Sequence, residues 1–114
     1  MKLNILERIA LLNVLPRQGS ALTLRIILDL QRELSFTEEE MEEYKMKNTT
    51  MPDGRTAMVW DEDFSDMKKD IKIGKVASGI IERELTKLNN QERLPMEGLG
   101  LYERFVEGKT EEKA

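Results

Sequence analysis

The chain has 114 residues, of which 39% are apolar, 35% charged and only 5% aromatic, and its net charge is −4. This length fits one domain, the apolar share is too high for whole-chain disorder, and no run of about 18 apolar residues offers a membrane span. Cysteine and histidine are both absent, which excludes disulfides, thiolate nucleophiles, zinc fingers and imidazole acid–base chemistry.

Asn4 and Glu7 have capping-box spacing. They predict a helix over 4–15, which Pro16 ends because the residue before proline disfavours the α region. Leu6, Ile9, Ala10 and Asn13 share one side of it, and Ile5, Leu12 and Leu15 widen the apolar stripe. Asn4, Glu7, Arg8 and Asn13 interrupt the apolar opening, so a cytoplasmic helix is expected rather than a secretory leader. Ser20 caps a second predicted helix over 21–34. Its two apolar rows, Leu24–Ile27–Leu28 and Leu22–Ile26–Leu30–Leu34, make a wide face suited to the core or to a subunit interface. Leu22, Ile26 and Leu30 are its candidate interface residues.

Thr37 and Glu40 repeat the capping-box spacing and open a short acidic helix over 38–44, with Met41 and Tyr44 inward and Phe36 placed to staple against Met41. Met51-Pro52-Asp53-Gly54 is turn chemistry between two strand-like runs, which predicts a β-hairpin over 45–60. Asp70-Ile71-Lys72-Ile73 is a candidate third strand for it. Gly74 opens a helix over 75–89, and a last helix covers 96–107, with Leu99, Tyr102, Phe105 and Val106 docking on the core. Two glycines, Gly98 and Gly100, weaken that helix. The expected fold is α+β and mostly helical, with four to five helices and a central hairpin, in one domain over 1–107. A polar tail over 108–114 follows.

Charge is unevenly distributed. Residues 35–66 carry ten acidic and three basic groups, and residues 67–114 carry nine acidic and ten basic. The helix–helix–helix–hairpin order matches a winged-helix layout. However, its third helix carries Glu38, Glu39, Glu40, Glu42 and Glu43, which would repel phosphates, so nucleic acid is not an expected partner. The acidic loop 61–66 departs from EF-hand spacing, and no phosphate-loop or nucleophile-elbow motif is present. Neither catalytic residues, nor a metal site, nor a cofactor is expected. An anionic small ligand would need Lys68, Lys69, Lys72, Lys75 or Arg55 around phosphate, with Trp60 or Tyr44 stacking on a base.

Several segments act together as a pattern. They are Leu3-x-Ile5-Leu6-Glu7-Arg8 through Leu15-Pro16, Thr23-Leu24-Arg25-Ile26-Ile27 and Leu34-Ser35-Phe36-Thr37-Glu38-Glu39-Glu40, then Trp60, Ile73-Gly74-Lys75 and Leu101-Tyr102-Glu103-Arg104-Phe105-Val106. In this order they resemble a set of small bacteriophage and prophage proteins. The resemblance implies a virus-encoded protein of the bacterial cytoplasm and carries no activity with it. The expected function is non-catalytic protein–protein interaction as a homo-oligomer, with a host or viral protein as a further partner. Sequestration of a nucleotide-like defence signal is the alternative.

Overall fold

A computed structural model describes residues 1–108. The element order is β1 (Lys2–Asn4), α1 (Ile5–Val14), α2 (Ala21–Leu34), α3 (Glu38–Glu43), β2 (Lys47–Thr50), β3 (Thr56–Val59), β4 (Lys68–Asp70), α4 (Lys75–Asn90) and α5 (Leu99–Tyr102). The fold is α+β and mostly helical, as expected. Asn4 and Glu7 exchange both bonds of a capping box at 2.8 and 2.9 Å, and Thr37 with Glu40 does the same at 3.1 and 3.0 Å. The expected tail lies, apart from Gly108, outside the described residues.

The hairpin forms where the turn chemistry puts it. Gly54 has φ +88°, a value that glycine adopts without a Cβ clash. The Asp53 carboxylate accepts from the Arg55 amide at 3.1 Å and from its guanidinium at 2.7 Å. The third strand differs from expectation. Residues Lys68–Asp70 pair antiparallel with β1, in register Lys2–Asp70, Leu3–Lys69 and Asn4–Lys68, so the described residues form two separate two-stranded sheets. The reason is burial. Leu3 and Ile71 are wholly enclosed in the helical core, whereas the hairpin lies outside it with β2 largely exposed. Pairing β4 with β1 places both apolar side chains inside, and pairing it with the hairpin would strand them.

The core joins Leu11, Ile27, Leu34, Ile71, Ile81, Leu85, Leu101 and Phe105 with smaller neighbours. The inward side of α1 is rotated from the expected one. Leu6 is 48% exposed, while Ile5, Arg8 and Leu11 are enclosed. A charged residue therefore sits where periodicity alone puts an aliphatic one. The last segment is also not one helix. A 3₁₀ turn (Met96–Gly98), α5 and a π turn (Glu103–Glu107) follow one another. This winding buries Leu101 and Phe105 and leaves Leu99 45% exposed. Arg104 then donates to Glu7 Oε2 at 2.7 Å and to the Lys2 carbonyl at 3.1 Å.

Arg8 is 1% exposed, and each of its three guanidinium nitrogens has a hydrogen-bond partner. Its Nε donates to the Leu34 carbonyl at 3.1 Å and its Nη2 to the Ser35 carbonyl at 2.9 Å. Its Nη1 donates to Glu40 Oε2 at 2.8 Å. The guanidinium carbon lies 3.9 Å above the centre of the Phe36 ring, a cation–π geometry. Phe36 thus packs on Arg8. Met41, its expected staple partner, is 39% exposed. Lys69 Nζ reaches Glu40 Oε1 at 3.5 Å. Burial pushes the Glu40 carboxyl up, but the Arg8 and Thr37 hydrogen bonds and the charges of Arg8 and Lys69 outweigh it and hold the group at about 2.

Two predictions follow from this clasp. Arg8→Met leaves two buried carbonyls and a carboxylate without their donor, and should cost about 3 kcal/mol or more in urea melts. The folded-state pKa of Glu40 is depressed, so its stabilisation is full above the ordinary value of 4.5 and is lost as pH falls toward about 2. Melts followed by Trp60 fluorescence should lose midpoint across that window. Glu40→Gln should start less stable and lose less.

Candidate functional site

An open groove with an apolar lining lies between α2 and α4. Its volume is about 550 Å³ and its apolar walls are Ile26, Leu30, Val76 and Ala77. Its formation follows from how α2 is held. Leu34, Leu30 and Ile27 point into the core, and Arg8 fixes the carbonyl end of that helix. The row one step around, Leu22, Ile26, Asp29 and Glu33, is then left at the edge. On α4 the buried row is Ala77, Ile80, Ile81 and Leu85, which leaves Val76 64% exposed. The second half of α2 meets the start of α4 here. The beginning of α2, with Thr23, meets Ile80, Arg83 and Lys87 in a second, polar cavity of about 570 Å³. The two helices therefore run antiparallel.

The rims of the apolar groove differ in charge. Asp29, Arg32 and Glu33 stand on the α2 side, and Lys72 and Lys75 on the α4 side. Asp29 is held by Arg32 at 3.6 Å across an exposed turn. Among the described residues, neither Lys72 nor Lys75 has a carboxylate within 4.0 Å. Gly74 caps α4 without a side-chain acceptor. Lysines on this side therefore face acids on the other across an open apolar floor.

The candidate ligand residues do not converge. Lys72 and Lys75 line this groove, but Trp60 lines a smaller cavity with Met58, Val59, Glu62 and Ser65 and donates to Ser65 Oγ at 3.1 Å. Tyr44 is 6% exposed, its ring 5.5 Å from that of Phe64. Burial raises its pKa, and the charges of Glu40 and Glu43 add to the shift. Arg55 is tied to Asp53 at the hairpin turn, Lys69 reaches Glu40, and Lys68 lies exposed on β4. Of the interface candidates, Ile26 borders the groove and Leu30 forms its floor at 4% exposure. Leu22, 66% exposed, lies one turn before Ile26. Sequence reading missed Val76, Asp29 and Glu33 as rim residues. The i, i+4 spacing of Asp29 and Glu33 beside Ile26 was the available signal.

Among the described residues, no three acidic side chains cluster as metal ligands, and no helix is long and apolar enough to cross a membrane. Comparison with family models, curated proteins and solved structures gives no match.

Val76 supports no internal packing at its outer side. In the unassociated chain, at dilute concentration, Val76→Asp should therefore change the unfolding free energy by no more than about 0.5 kcal/mol, against about 2–5 kcal/mol for Leu85→Ala in the core. Matched urea melts of the two variants check this.

Proposed function

We propose that this chain works by binding another protein at the α2–α4 groove and does not catalyse a reaction. The observation that carries the reading is the half-open apolar face itself. Two helices that are otherwise packed into the core leave Ile26 and Val76 at a surface bordered by charge. Apolar floors with polar rims are the usual anatomy of protein interfaces. The chemistry of the chain agrees. It lacks Cys and His, and its most perturbed carboxylate, Glu40, is committed to Arg8. The resemblance to small phage and prophage proteins supports a viral accessory role in a bacterial cytoplasm, with a host or viral protein as the natural class of partner.

Binding of an anionic small molecule is the second reading. It is favoured by Lys72 and Lys75 beside the start of α4. It ranks lower because Trp60, the stacking residue it needs, lines a different cavity. Sequence-specific DNA binding ranks lower again, because α3 ahead of the hairpin carries five glutamates.

The test uses the tagged chain as bait in bacterial cells, with Val76→Asp and, away from the groove, Met96→Asp, a residue 83% exposed. Wild type and Met96→Asp should retain the same proteins by quantitative mass spectrometry, and Val76→Asp should lose them. A retained set that Val76→Asp leaves unchanged overturns the proposal. A small-molecule mass released on denaturation, and lost when Lys72 and Lys75 are replaced by alanine, replaces it with the second reading.

A further inference from the structure

We infer that the partner seated on this groove is a second copy of the chain, related by a two-fold axis running along the groove. The inference rests on the protein-docking reading above and names its occupant. The argument is the charge arrangement. The α2 rim carries Asp29 and Glu33 and the α4 rim carries Lys72 and Lys75, both where the second half of α2 meets the start of α4. A two-fold axis along the groove exchanges its left and right sides and preserves position along it. It therefore lays Asp29 and Glu33 of one copy over Lys72 and Lys75 of the other, and repeats the match on the opposite side. A two-fold axis across the groove sets each rim over its own kind and brings no acid to the lysines.

The same operation covers the apolar floor. Ile26 of each copy comes onto Val76 of the other, on either side of the axis. Because α2 and α4 are antiparallel within the chain, α2 of one copy lies antiparallel on α4 of the other, and the four helices form a bundle. Lys72 and Lys75 find carboxylates in the second copy that, among the described residues, they lack at ion-pair distance in their own. Arg32 stands on the acidic rim and holds Asp29, so Glu33 is the less encumbered acid and the better handle for a test.

The experiment measures association of the whole chain by sedimentation equilibrium and native mass spectrometry. The samples are wild type, Glu33→Lys, Lys75→Glu, Val76→Asp and an equimolar mixture of the two charge variants. Wild type should be dimeric. Each charge variant alone sets like charges together at two places, and its self-association should weaken by about tenfold or more. The mixture should form a one-to-one heterodimer of near wild-type affinity, because each altered residue then meets its opposite. A foreign-partner groove does not produce that rescue.

A wild type that stays monomeric to about 1 mM overturns the inference, and so does a mixture without heterodimer. If the chain is monomeric while Val76→Asp still loses a captured protein, the docking reading stands and only the second copy falls. If wild type dimerises but neither the charge variants nor Val76→Asp affects it, the contact lies elsewhere. The inference then falls, and the docking reading falls with it when the captured proteins are unchanged too.

Discussion

The buried Arg8 guanidinium organises the molecule. Taking a cation out of water costs several kcal/mol, and the cost is recovered only if its donors are met in good geometry. Here they meet the end of α2 through the Leu34 and Ser35 carbonyls, the start of α3 through Glu40, and the ring of Phe36. One side chain on α1 thereby sets the corner between the next two helices. Glu40 extends the clasp. Its carboxylate closes the cap of α3, binds Arg8 and draws in Lys69 of β4, which pairs in turn with β1. Among the described residues, no buried side-chain nitrogen or oxygen lacks a partner, so the polar centre is completed rather than merely tolerated.

The clasp also explains the surface. Satisfying the last carbonyls of α2 fixes the rotation of that helix about its axis. Leu34, Leu30 and Ile27 then face the core, and Ile26, Asp29 and Glu33 border the groove. The same rotation leaves Leu24 and Leu28 on the opposite flank, 39% and 47% exposed. The wide apolar face of α2 is thus only partly consumed inside the chain. The helix supplies both core and surface, and the boundary between the two is set by a charged residue on another element.

Local chemistry was legible in the sequence and pairing was not. The Asn4–Glu7 and Thr37–Glu40 boxes, the Ser20 cap, Pro16 and the Pro-Asp-Gly turn each act within a few residues, and each places its element correctly. The bounds of α2 match the expected ones, and those of the long helix after Gly74 differ by one residue. Arg8 was unreadable because its four acceptors lie 26 to 32 positions away, and helical periodicity treats any arginine as outward. The partner of β4 was unreadable for the same reason. Three residues have no period of their own, and only Leu3, 66 positions earlier in the register, shows where they belong. The groove is harder still. Ile26, Lys72 and Lys75 were each noticed, but for separate purposes, and nothing local brings the three to one surface.

The bond from Arg104 to Glu7 spans 97 positions and has a consequence for the order in which the chain folds. The same carboxylate that caps α1 through one oxygen holds the end of the described chain through the other. Leu101 and Phe105 occupy the core beside Leu3 and Leu11. During synthesis α1 therefore emerges well before these partners, with part of its inner surface uncovered until residues 101–105 follow. The Arg8 clasp and the β1–β4 pairing shorten the loop between them beforehand, and closing what remains still costs entropy. The core around α1 thus closes only once Leu101, Arg104 and Phe105 are available, so α1 depends on a segment far along the chain, 97 positions from Glu7 to Arg104.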